Sequence, residues 1–109
     1  MSQQYRKFID PIPNFSRQLP EGVYSLSTEA VKEILNISQS TLSDFKECLN
    51  AERPRGWDYS PGQHGLTIEQ LQVLAILNSL VRTLGRRAAQ KHLHKAIEHF
   101  YKQQETENG

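Results

Sequence analysis

Thiol chemistry is nearly absent from the chain, which has a single cysteine, Cys48. One thiol excludes an internal disulfide, and no C-x-x-C spacing suggests a structural zinc site. A reducing, cytoplasmic setting is the default expectation for such a chain. Charge of one sign is also scarce. Thirteen Lys and Arg stand against twelve Asp and Glu, a formal net charge of +1, so overall charge does not announce a nucleic-acid protein. Long hydrophobic runs are missing. The most apolar stretch, Leu66 to Leu84, is interrupted by Glu69, Gln70, Gln72, Asn78 and Arg82, too polar a segment to span a bilayer. The start, Met1 to Lys7, lacks the apolar region of a signal peptide. No paired carboxylates, nucleophile–base pair or phosphate loop is visible. His92 and His94 are two apart, a poor helical pair for a metal. Neither an enzyme, a cofactor nor a metal is expected.

What the chain has is enough apolar material for one small domain: 37% hydrophobic residues in 109, with 23% charged. Residues 1–22 read as an irregular arm, broken by Pro11, Pro13 and Pro20. Phe8, Ile9, Ile12, Phe15 and Leu19 make it too apolar for a linker. It is expected to lie across its own core or on a protein partner. Residues 23–102 form the domain, and 103–109 a polar, frayed tail.

Two short helices open the domain. Ser27 is a suitable N-cap, with Glu29 in the first turn where the helix dipole favours an acid. Ala30, Val31, Ile34 and Leu35 give one apolar face. Asn36 suits a left-handed turn position. Ser38 caps a second helix whose inner stripe is Leu42, Phe45 and Leu49. Residues 53–65 are dense in turn formers, and Trp57 and Tyr59 have strand period, so a hairpin or long loop is expected there. Thr67 with Gln70 forms a capping box for a third helix. Its apolar residues cover most of the circumference, which predicts burial on several sides or a dimer contact. Gly85 ends it. A fourth helix is expected from Arg86 to Tyr101, with Ala89, Leu93, Ala96, Ile97 and Phe100 inward. From Arg82 to Lys102 the chain holds six Arg or Lys against one acid, Glu98. Such a stripe attracts phosphate or is simply a solvated helix face.

In this order the segments resemble the DNA-binding domain of MerR-type regulators. Tyr24-Ser25 precedes helix one, Leu35-Asn36-Ile37-Ser38 stands at the turn, and Ser40-Thr41-Leu42 opens the second helix. Arg53-Pro54-Arg55 resembles the family's Pro/Arg run. Gly65 to Leu71 resembles the opening of the helix after the wing, and Leu84-Gly85 the junction of helices three and four. The resemblance implies a mainly α, winged helix-turn-helix fold of about four helices with a small two-stranded β wing. It implies a small transcriptional regulator or accessory factor that binds double-stranded DNA, either alone or as a homodimer. Helix 38–49 would enter the major groove, with Gln39, Ser40, Thr41, Ser43 and Lys46 as contacts. The 53–65 wing would hold the backbone through Arg53, Arg55, Tyr59, Gln63 and His64. Arg82, Arg86 and Arg87 would touch flanking phosphates. Two departures stand out. Ser43-Asp44 replaces the family's Arg-aromatic pair, and the family's coiled coil and effector domain have no counterpart here. With the apolar arm and the near-zero charge, Asp44 supports an alternative: a protein-interaction adaptor on the same fold.

Overall fold

The computed structural model describes residues 12–15, 25–60 and 62–108. These residues are mainly helical, with α1 (Thr28–Leu35), α2 (Gln39–Glu52), α3 (Ile68–Leu84) and α4 (Arg86–Asn108) in chain order. Each start is fixed locally. Ser27 Oγ accepts the Ala30 amide at 3.1 Å, and Ser38 Oγ accepts the Thr41 amide at 3.2 Å. Thr67 Oγ1 accepts the Gln70 amide at 3.1 Å, while Gln70 Oε1 accepts the Thr67 amide at 2.9 Å. These bonds satisfy donors that a helix start leaves without intrahelical partners. Asn36 closes α1 in the left-handed region, at φ 54°. Gly85, at φ 86°, is the one residue between α3 and α4.

α3 is the centre of the fold. Every residue from Gln70 to Leu77 is buried, and so is Leu80. α1, α2 and α4 all pack on it, so this stretch is enclosed by its own chain and offers no dimer face. α4 folds back along α3, bringing Tyr101 and Val73 to the same point beside Gly56. It buries Ala89, Leu93, Ala96, Ile97 and Phe100, the stripe expected from the spacing. Burial of each large side chain stabilises by about 1.5–3 kcal/mol, enough to carry a helix whose other faces are polar. The helix does not stop at Tyr101 but continues to Asn108, through the segment expected to fray.

The arm is described only at 12–15, and the rest of it lies outside the described residues. At this point it covers its own core. Phe15 is buried, and the Gln72 side chain grips the backbone on either side of Asn14. Gln72 Oε1 accepts the Phe15 amide at 3.0 Å, and Nε2 donates to the Pro13 carbonyl at 2.9 Å.

The two-stranded wing is not formed among the described residues, whose β pairing is one isolated antiparallel bridge, Leu26 with Leu66. That bridge ties the entrance of α1 to the entrance of α3. Among the described residues between Arg53 and Thr67, the Trp57 amide donates to the Pro54 carbonyl and the Gln63 amide to the Ser60 carbonyl. Other polar groups of this segment are met by side-chain amides where a hairpin would use a ladder. Gln70 Nε2 donates to the Asp58 carbonyl at 2.8 Å, and Gln63 Nε2 to the Gly65 carbonyl at 3.0 Å and to Gln70 Oε1 at 2.7 Å. These bonds satisfy the Asp58 and Gly65 carbonyls without a ladder.

Candidate nucleic-acid interface

Leu42, Phe45 and Leu49 turn inward, so the helical period puts Ser40, Ser43 and Glu47 on the opposite, outward side of α2, where all three are exposed. Gln39 joins them at the first turn, its amide 3.4 Å from Ser43 Oγ. Thr41 is half-buried, and its hydroxyl accepts from Ser38 Oγ at 3.0 Å within the cap. No acid lies in the first turn of α2.

One flank of α2 meets the 53–65 loop. Lys46 Nζ lies 5.3 Å from the Tyr59 ring centroid. Tyr59 stacks on Trp57 with ring centroids 5.5 Å apart. Trp57, itself buried, donates from Nε1 to Asn50 Oδ1 at 2.8 Å. The two aromatics therefore serve to dock the loop on α2.

The other flank meets the α3–α4 junction. Arg82 Nη2 donates to the Asn36 carbonyl at 3.3 Å, at the turn between α1 and α2. Arg86 pairs with Asp44. Farther along, Gln90 Nε2 donates to Glu52 Oε2 at 3.1 Å, and His94 Nε2 lies 3.2 Å from Glu52 Oε1. The Gln90 hydrogen bond, followed by that of His94, holds the Glu52 carboxyl below its ordinary range. Position 44 faces 86 and position 52 faces 90 and 94, so α2 and α4 run side by side in the same sense. Arg86 and Arg87 occupy the first turn of α4, which carries no acid. Cations there oppose the helix dipole by about 0.3–1 kcal/mol each, and Asp44 offsets only one of them.

On this second flank, between α2, α3 and the start of α4, opens a cavity of about 360 Å³, bordered by Asp44, Phe45, Cys48, Leu77, Val81 and Arg87 among others. Burial raises the pKa of the Cys48 thiol, and Glu52 adds to the rise against the opposing Arg86. That direction is opposite to the lowering that activates a nucleophilic thiol.

The expected contact residues thus divide. Gln39, Ser40, Ser43, Arg82, Arg86 and Arg87 come together around the first half of α2. Arg53 is exposed at the end of α2, in the left-handed region at φ 47°. Arg55 points elsewhere. Its guanidinium lies 4.4 Å from the Tyr101 ring centroid and 3.4 Å and 3.7 Å from carboxylate oxygens of Glu98 and Glu105 on α4. Gln63 is spent inside the loop. His64 is exposed, and its carbonyl accepts Ser25 Oγ at 3.1 Å. The partners that set these fates, Gln70, Glu98 and Glu105, carry no local signal of the role. Among the described residues no helix is long and apolar enough to cross a membrane. Comparison of the chain with family models, with curated proteins and with solved structures gave no match.

Proposed function

We propose that the protein binds double-stranded DNA through a helix-turn-helix formed by α1 and α2, as a small transcriptional regulator or accessory factor. The observation that carries this reading is the placement of the Arg82, Arg86 and Arg87 junction against the α1–α2 turn and the first half of α2. In this reading the first turn of α2 enters the major groove, where Gln39, Ser40 and Ser43 reach base edges. Arg82 and Arg87 hold the flanking phosphates, while Arg86 stays paired with Asp44. The 53–65 loop stands where a wing would, contributing Arg53 but not Arg55. Asp44, the residue that spoke most strongly against groove docking, has its charge matched by Arg86.

The test is binding of labelled mixed-sequence duplex at two salt concentrations. The expected result is a steep loss of affinity with salt, reduced by Arg82→Ala with Arg87→Ala. Gln39→Ala with Ser43→Ala should change sequence preference while leaving nonspecific affinity intact. A wild-type protein that ignores duplex at low salt contradicts the reading.

A second reading, a protein-interaction adaptor on the same fold, is favoured by the capture of Arg55 on α4 and by two large apolar side chains, Ile34 and Leu84, each 40% exposed. It predicts that substituting both by Ser abolishes partner capture and leaves the fold intact.

A further inference from the structure

The first half of α4 carries four cations, Arg86, Arg87, Lys91 and Lys95, and no acid before Glu98. Arg86 turns to Asp44, while Gln90 and His94 turn to Glu52. These three mark the flank toward α2. Ala89, Leu93, Ala96 and Ile97 mark the buried side. Helical geometry then sends Arg87, Lys91 and Lys95 outward, away from the core and to the same side of the molecule as Ser40 and Ser43 of α2. All three are exposed, with no ion pair to an acid among the described residues. The acids farther along this ridge, Glu98 and Glu105, are met by Arg55. The loop arginine that is lost to DNA on its own account therefore lowers the negative charge beside the lysines.

We propose that the outward ridge of α4, Arg87, Lys91 and Lys95, is a second phosphate-binding strip that follows one strand of duplex DNA past the site read by α2. This rests on the proposed function and adds to it two lysines and a direction. The geometry decides the occupant. Side-chain links rather than close packing join α2 and α4, so α4 stands at least a packed-helix spacing of about 10 Å from α2, and the major groove is about 12 Å wide. With α2 in the groove, a parallel helix on its flank lies over the groove wall, which is the sugar-phosphate backbone. The three cations recur every four residues, about 6 Å apart along the axis, far enough for each to meet a different phosphate of one strand, which carries a charge about every 3.4 Å of duplex axis. Lysine suits this task, being a point charge that binds phosphate without reading sequence.

The experiment compares the full chain with its Lys91→Gln, Lys95→Gln variant on a mixed-sequence duplex across a salt series. Thermal unfolding serves as the check on folding, since both side chains are exposed. The slope of log affinity against log salt should become shallower by about 0.9 per lysine, and affinity at a tenth-molar salt should fall by about tenfold per lysine. The base preference conferred by Gln39 and Ser43 should not change. If the wild type binds duplex with a steep slope and the variant matches it, the ridge is a solvated face, and this proposal fails while the proposed function stands. If the wild type binds no duplex at low salt, both fall. If it binds vesicles of anionic lipid but not duplex, the ridge has a different occupant and this proposal is overturned.

Discussion

Arg53 holds a position where helices usually end on glycine. Its left-handed backbone costs a non-glycine residue about 1–2 kcal/mol. In the proposed reading, phosphate binding by the exposed guanidinium is what offsets that cost. Arg53→Gly should raise stability by about 1 kcal/mol in urea unfolding and weaken duplex binding. A variant that gains neither stability nor loses affinity removes Arg53 from the interface. Tyr101 tells the opposite story. Its ring carries Arg55, but its hydroxyl is buried without a hydrogen-bond partner among the described residues, and burial is the main cause that raises its pKa. Tyr101→Phe keeps the ring and removes the unpaired group. Equal or slightly higher stability is expected, by up to about 1 kcal/mol, and a clear loss would reveal a partner for the hydroxyl.

The helices were legible from sequence because their signals are local. Ser27, Ser38, Thr67 with Gln70, and Gly85 each act within four residues, and each stands where its pattern placed it. The wing was not legible. Trp57 and Tyr59 have strand spacing, but the Asp58 carbonyl between them is met by Gln70 from α3, and Gln63 bonds within the loop. Gly65 belongs to the same device. A Cβ there would lie 2.6 Å from the Leu26 carbonyl oxygen, at a φ of +74°. Gly65→Ala should therefore break the Leu26–Leu66 bridge and cost about 1–3 kcal/mol, read as a lower unfolding midpoint. The α2–α4 contact is equally non-local, joining Glu52 to Gln90 and His94 across about forty residues. Because the folded state depresses the Glu52 pKa, its stabilising contribution is present above the ordinary carboxylate range. That contribution disappears as pH falls through the lowered folded value. Glu52→Gln should flatten the acid limb of stability against pH, and an unchanged acid limb would show that the link contributes nothing.

At the scale of the whole molecule, charge is distributed rather than abundant. A net charge of +1 hides a cationic junction and ridge beside α2, while Arg55 is drawn off by Glu98 and Glu105. The destinations of these arginines were illegible in sequence. Arg55 meets partners more than forty residues away, and Asp44 meets Arg86 only because α2 and α4 lie side by side. The central claim is that the outward faces of α2 and α4 form one DNA-binding surface. It is tested most directly by following backbone amide chemical shifts as a short duplex is added to the labelled full chain. The predicted result is that perturbations gather on Gln39 to Ser43 and on Arg86 to Lys95. Perturbations confined to the surroundings of Ile34 and Leu84, or none at all, would contradict it.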